Sequence, residues 1–405
     1  MVLPALESIF YCPNPLSFDP KTIRTVRRLL FTPLWLFLLL PGYVGWRLLS
    51  AVSLGPREVF AGMAFLIACC WLVPLSVRAR GVQNRRLTEA LAWVGLTAMG
   101  FLSSLFVFTL LREFVLLGIR LILSNRQYEA WITPSAYWTL YLTIFVTLAG
   151  FMLARRSPGV VDVQIPVTGL PQALHGFAIA QISDVHVGPT IKRGFVEGIV
   201  RRVNGLNADL IAVTGDLVDG SVRQLSADTA PLAGLAARHG VYFVTGNHEY
   251  YSGEREWTEE FRRLGLKVLK NEHVVVEHDG ASLVLAGVTD LSSHHYDPAE
   301  RSDPQTALRG APSDAGPKIL LAHQPSSAAA AASAGFDVQI SGHTHGGQFW
   351  PWNLFLHFFQ PMTSGLYRMK NLWVYVSRGT GYWGPPNRFG VPSEITRIRL
   401  VPAAL

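Results

Sequence analysis

Apolar residues are spread very unevenly along this chain. As far as about residue 156 they run in blocks long enough to cross a bilayer as helix, which takes about 20 residues. Four such blocks stand near Leu29–Ser50, Phe60–Val77, Leu91–Leu111 and Tyr137–Ala154. Pro33 and Pro41 lie in the first, where a membrane helix tolerates proline but kinks. Arg112-Glu113 follows the third block, and a further apolar run, Phe114–Leu123, comes next. That order predicts a helix end with an interfacial extension in preference to a functional ion pair inside the membrane.

Ser157-Pro158-Gly159 marks a change of pattern and a linker. Beyond it, short β-rich runs alternate with helical periodicity. Strands are predicted at Phe177–Ser183, Asp209–Thr214, Val241–Thr245, Ile319–Ala322, Val338–Ile340, Leu372–Ser377 and Ile395–Val401, with hairpins in Val274–Val288. Helices are predicted at Lys192–Leu206, Leu225–Arg238 and the Ala-rich run Ala328–Ala332. Leu291–Pro317, rich in Asp, Ser and Pro, reads as a surface loop. Continuous apolar strands separated by helices imply covered sheets. The fold expected is therefore an N-terminal multi-spanning α-helical membrane region over 1–156, then an α/β domain over 157–405. In that domain two packed β-sheets would be flanked by helices.

Charge changes the picture only once it is divided. The net +7 invites a nucleic-acid reading, but residues 1–156 carry 15 Lys/Arg against 6 Asp/Glu, and the rest carries 20 against 22. The basic excess thus sits among the apolar blocks, where it is a topology signal, and no nucleic-acid partner is expected. Lys21, Arg24, Arg27 and Arg28 precede the first block; Arg78, Arg80, Arg85 and Arg86 separate the second and third; Arg155 and Arg156 follow the fourth. By the positive-inside rule both termini are cytoplasmic, with the C-terminal domain on that side. Arg27-Arg28 before an apolar run faintly resembles an export signal, but more spans follow and no small-residue cleavage site does, so an anchor is expected. Three cysteines, none after Cys70, do not make a disulfide scaffold.

The chemistry lies in five polar motifs, nearly all at strand ends. They are Asp184/His186, Gly215-Asp216 with Asp219, Gly246-Asn247-His248-Glu249, His323, and Gly342-His343 with His345. Carboxylate, amide and imidazole donors without thiolate suit a pair of divalent cations of the Mn, Fe or Zn type. Ligands collect at the carboxyl ends of such strands. Two metals about 3.5–4 Å apart can activate water and neutralise phosphoryl oxygens, and a histidine can protonate the leaving oxygen.

Taken in this order, the motifs resemble the calcineurin-like metallophosphoesterase superfamily over about residues 175–400. They look closest to the membrane-anchored bacterial branch that includes UDP-2,3-diacylglucosamine hydrolases and related phosphodiesterases. Gly346-Gly347-Gln348 and Ser377-Arg378-Gly379 are similar tail features. The resemblance implies one metal on Asp184, His186, Asp216 and His345, and a second on Asp216, Asn247, His323 and His343, with Asp216 bridging. It leaves His248 unliganded as the catalytic acid, oriented by Asp219. His175, His239, His273, His278, His294, His295 and His357 match no ligand position, with His294-His295 the one pair of interest.

Next to the second histidine pair runs Gln348-Phe349-Trp350-Pro351-Trp352-Asn353-Leu354-Phe355-Leu356-His357-Phe358-Phe359, either core packing or a greasy lip for a bilayer or acyl chains. The function expected is a dinuclear-metal phosphodiesterase or pyrophosphatase of the cytoplasmic membrane. Its partners would be the lipid bilayer and a phosphorylated, lipid-linked substrate such as UDP-2,3-diacylglucosamine, a precursor of lipid A. The rival is a membrane receptor or scaffold whose soluble domain binds metal or nucleotide without hydrolysis. A protein phosphatase is disfavoured, because Gly220-Ser221 stands where that branch has Arg-Gly.

Overall fold

The computed structural model describes residues 39–78 and 84–403, which divide into two compact units. One comprises the chain up to Phe151 with the short segment Gly384–Asn387; the other runs from Met152 to Trp383 and from Arg388 onward.

Among the described residues, three helices of the first unit are long and apolar enough to cross a membrane. They are α1 (Pro56–Arg78), α2 (Arg85–Ile122) and α3 (Asn125–Arg155). Of the expected span Leu29–Ser50, residues 29–38 lie outside the described residues, while 39–49 are helical. The expected stop at Arg112 does not occur. At about 1.5 Å per residue, α2 is longer than a bilayer's apolar core, and it continues through Arg112-Glu113 without a break. Polar partners make this possible. Arg112, almost fully buried, gives Nε to Ser135 Oγ (2.8 Å), Nη2 to the Ile132 carbonyl (2.9 Å) and Nη1 to Glu113 Oε1 (2.8 Å). Glu113 also receives Arg47. An ion pair that is also hydrogen-bonded between helices removes the reason to end one there.

The second unit contains two six-stranded sheets. The first has the order β1 (Gly159–Val167), β12 (Glu394–Pro402), β2 (Ala178–Ile182), β3 (Leu210–Val213), β4 (Val241–Phe243) and β5 (Lys267–Val268). The second has the order β10 (Gly365–Met369), β11 (Leu372–Val376), β9 (Val338–Ser341), β8 (Lys318–Leu321), β7 (Ala281–Gly287) and β6 (Glu272–His278). Strands β2 to β5 run parallel, as do β7, β8, β9 and β11. Helices α4 (Arg193–Asn204), α5 (Val222–Thr229), α6 (Asn247–Ser252), α7 (Glu254–Arg263), α8 (Pro304–Ala307), α9 (Ala328–Ala334) and α10 (Trp352–Leu356) complete the unit.

Period-2 alternation feeds two cores at once. Ile179, Leu210, Ala212 and Tyr242 meet Leu285, Ile319, Leu321 and Ile340 of the other sheet. Their neighbours Ala180, Ile211, Val213 and Phe243 face outward to Ile199 and Val203 of α4 and to Trp257 and Phe261 of α7. On the far side, Ala286, Leu320 and Val374 pack on Ala328 and Ala331 of α9. The expected helix Leu225–Arg238 is shorter, because Pro231 has no N–H to give and the turn tightens over Ala230–Gly234. Strands β1, β5 and β10 were not expected from the pattern; each is an edge or its neighbour's flank, where alternation is weakest.

Candidate metal centre

Register brings the motifs together. Ile182 pairs with Val213 and Val213 with Phe243, so β2, β3 and β4 end level. Leu321 pairs with Ile340 in the other sheet in the same way. The chain leaving each of these ends therefore arrives at one rim. There Asp184 N donates to the Gly215 carbonyl (3.0 Å), His186 N to that of Asp216 (3.1 Å) and Gly342 N to that of His323 (2.9 Å).

The turns are sharp. Asp184, His186, Asp216, His343 and His345 all have positive φ, between 50° and 72°, a region that non-glycine residues enter rarely. Gly215 explains the small residue before Asp216. Its φ is +86°, and a Cβ there would lie 2.6 Å from Gly246 N and 2.8 Å from His323 Nδ1. A side chain at Gly342 would collide with Ser183 and Asp184.

Two sets of donors converge. Asp184, His186 and His345 form one, and Asp216, His323 and His343 the other, with the donor atoms of each within 4.8 Å of one another. His186 Nε2 and His345 Nε2 are 3.0 Å apart, and His345 Nε2 is 3.5 Å from Asp184 Oδ1. Asp216 Oδ2 lies 3.2 Å from His323 Nε2 and 3.8 Å from His186 Nε2, between the sets. Asn247 Oδ1 joins the second at 3.2 Å from His323 Nε2. His186, Asp216 and His248 also satisfy the spacing, with His248 Nε2 3.9 Å from Asp216 Oδ2, as far as His186 Nε2 at 3.8 Å. Lone pairs facing one another in a buried site are a poor arrangement for protons and a good one for cations, so the donors fit a pair of divalent ions.

Charge is arranged to match. Burial works against ionisation of Asp216, but His323, His248 and His186 outweigh it and hold the carboxyl well below its usual range. Burial and the Arg388 guanidinium push His345 well below the ordinary imidazole value, so it is neutral and ready to ligate. Burial also lowers His248, but Asp216 and Asp219 overcome it and raise the ring to about 9. Asp219 Oδ1 receives His248 Nδ1 at 2.6 Å and His186 Nδ1 at 3.0 Å. It thus orients two rings rather than the one expected.

Residues 177–347 match the family profile described as Calcineurin-like phosphoesterase. A metallophosphoesterase of Aquifex aeolicus is 31% identical over 224 residues, which cover 55% of this chain and 84% of that protein. The chain belongs to the calcineurin-like metallophosphoesterase family. Another relative is the "Transmembrane protein with metallophosphoesterase domain" of Danio rerio, 40% identical over 64% of this chain. This chain spans 61% of that relative's length. A Helicobacter pylori metallophosphoesterase is 36% identical over 62% of this chain and 66% of its own. The Danio rerio relative is named as a transmembrane protein, and among the described residues this chain has three helices long and apolar enough to cross a membrane.

Two side chains of this metallophosphoesterase site were not assigned from the motifs. Glu249, fully buried, accepts from Gly246 N (2.7 Å), Asp216 N (2.9 Å) and Leu217 N (2.8 Å), stitching two motif loops together. Burial and Asp216 push it up to about 8 while the N–H donors pull the other way. Its position three residues after the helix cap Gly246 was the available signal. Arg388, also fully buried, places Nη2 3.1 Å from His345 Nδ1 and gives Nη1 to the carbonyls of His345 (3.2 Å) and Arg378 (2.8 Å). Nothing nearby in sequence announces it. The remaining histidines lie elsewhere: His239 bonds His278 at 2.9 Å, His273 the Ala307 carbonyl and His294 that of Leu291. The rings of His294 and His295 lie 3.9 Å apart on an exposed turn.

Proposed function

We propose that this protein is a membrane-anchored, metal-dependent phosphoester hydrolase, a phosphodiesterase or pyrophosphatase whose substrate is lipid-linked. The observation that carries this is the pair of donor sets sharing Asp216. Asp184, His186, Asp216 and His345 would hold one ion; Asp216, Asn247, His323 and His343 the other. When bound, two divalent ions of the Mn, Fe or Zn class supply Lewis acidity and an ionised water at neutral pH.

The chain's own groups do the rest. His248 keeps its proton, because Asp219 takes Nδ1 and the neighbouring carboxylates favour the cation. Its Nε2 is turned toward the donor cluster, where a leaving oxygen needs that proton. Asp219 fixes the ring orientation. Arg388 and Glu249 hold the loops that present His345 and Asp216.

The lipid side of the proposal is supported by the spans and by the loop after His345. Phe349 is buried, but Trp352, Leu354, Phe355, Phe358 and Phe359 are exposed, Phe358 by 81%. Such an apolar lip suits acyl chains or the bilayer surface. UDP-2,3-diacylglucosamine has both parts, a pyrophosphate and acyl chains. Arg-rich flanks of the spans favour a cytoplasmic catalytic domain.

The test uses the full chain in detergent, loaded with Mn²⁺ and given bis(p-nitrophenyl) phosphate. Wild type should hydrolyse it and Asp216→Ala should lose about 10³-fold or more in kcat, the scale of a metal's contribution. Equal rates would leave the metal-binding scaffold as the better reading.

A further inference from the structure

Ser377-Arg378-Gly379 follows β11, and its residues part ways. Gly379 lies behind the metal donors, where a Cβ would come 3.0 Å from His345 Nδ1 and 3.1 Å from Asp184 Cβ. Arg378 instead lines a cleft of about 250 Å³ between the β1 edge of the first sheet and the β10 edge of the second. No metal donor is among the residues that line it.

The lining is sorted by polarity. Val161 and Val163 stand two apart on β1 and so share a face, and Leu366 of β10 joins them. All three are half-buried, which leaves apolar surface open in the cleft. Glu394, at the start of β12, is shut off from solvent with its carboxylate engaged. Its Oε1 accepts from Tyr375 Oη (2.7 Å), Thr396 Oγ1 (3.2 Å) and Arg378 N (3.3 Å), and its Oε2 from Arg378 Nε (2.6 Å). The ion pair is unequal in exposure: the Arg378 side chain is 29% exposed and that of Glu394 2%. Among the described residues Nη1 and Nη2 of Arg378 have no hydrogen-bond partner, and neither atom is buried. Glu394 thus fixes the guanidinium through Nε and leaves the Nη fork for an outside acceptor. Ser364 adds a hydroxyl to the same cleft.

We propose that this cleft binds a small organic acid, its carboxylate on the Nη fork of Arg378 and its short apolar chain along Val161, Val163 and Leu366. A guanidinium fork meets a carboxylate through two parallel bonds, so it selects that group over a cation or a neutral head. At about 250 Å³ the cleft is below the size that encloses a drug-sized ligand, which keeps the chain short. The site stands apart from the metal donors and does not depend on the phosphohydrolase reading.

Equilibrium dialysis of the Mn²⁺-loaded full chain in detergent against radiolabelled hexanoate tests this, with protein-free micelles as the blank. Hexanoate should bind at least about tenfold tighter than acetate, since each fully buried methylene strengthens binding about fourfold. Hexylammonium, with the same chain and the opposite charge, should bind at least about tenfold more weakly than hexanoate. Val161→Trp fills the cleft and leaves the Arg378–Glu394 pair intact, and should bring hexanoate down to the level of acetate. Arg378→Gln should weaken hexanoate about tenfold, the scale of a charged hydrogen bond. If that variant fails to fold because Glu394 is left buried without its counter-ion, Val161→Trp decides. Asp216→Ala, which dismantles the metal centre, should bind hexanoate as wild type does. The proposal is overturned if hexanoate binds no better than acetate or if hexylammonium matches it. It is also overturned if binding survives Val161→Trp or a folded Arg378→Gln, or if Asp216→Ala removes it, which would put the acid on the metals.

Discussion

Asp219 Oδ1 sits between two imidazoles, at 2.6 Å from His248 Nδ1 and 3.0 Å from His186 Nδ1. One carboxylate oxygen thus governs both the acid and a metal donor. Asp219→Asn should lower kcat about 10²-fold, since general acid catalysis contributes at about that scale. It should also weaken binding of the first ion, measured as Mn²⁺ stoichiometry. A kcat within twofold of wild type would contradict the orienting role. Protonation gives a second expectation. In the metal-free chain Asp216 outweighs burial and raises His323 well above the ordinary imidazole value, so this ring is protonated at pH 7. Ligation needs the neutral ring, so loading must expel that proton, and apparent affinity must weaken as pH falls. His345, held low, contributes no such proton at pH 7. Calorimetry in buffers of different ionisation enthalpy should show net proton release; none at pH 7 would refute it. Residue identities at this site were legible in the sequence because ligand chemistry restricts them to a few types. Arg388 was not, because its partners are mainly backbone carbonyls, and any sequence supplies those.

At the scale of elements, the strands that carry motifs are the ones their short apolar runs announce, since both of their faces are buried and polar residues enter only at Gln181, Lys318, Gln339 and Ser341. β1 escapes notice because its outer residues alternate between exposed and half-buried positions and include Asp162, Gln164 and Pro166. The end of α2 was misplaced for a related reason: Arg112-Glu113 looks like a boundary until Ser135 and Ile132 of α3 are known to receive it. Glycines separate the two kinds of position cleanly. Gly215→Ala puts a Cβ into Gly246 N and His323 Nδ1 at a φ of +86°, and should abolish metal loading and cost about 1–3 kcal/mol. Gly194 in α4 has open space around it, and Gly194→Ala should stabilise the chain by about 0.4–1 kcal/mol. Thermal or denaturant midpoints in detergent decide both, and like signs for the two would contradict this account.

For the molecule as a whole, the helices α1 to α3 predict that the protein stays with the membrane through an alkaline carbonate wash. Release into the supernatant would remove the anchored reading. The division of charge between the two halves was plain in the sequence, but the pairing of the two sheets was not, because register depends on residues far apart in the chain. That pairing has one more consequence. Asp184, Asp216 and Asn247 follow strands of the first sheet, and His323, His343 and His345 follow strands of the second. Ions shared between them would act as a reversible cross-link, clamping two layers that otherwise adhere through apolar side chains and a few hydrogen bonds, such as Gln181 Nε2 to the Ser341 carbonyl and Tyr375 Oη to Glu394 Oε1. Stabilisation would then track free metal as RT ln(1 + [M]/Kd), about 2.7 kcal/mol at a hundredfold excess over Kd. In a cell, scarcity of the ion would loosen the architecture at the same time as it stopped the chemistry.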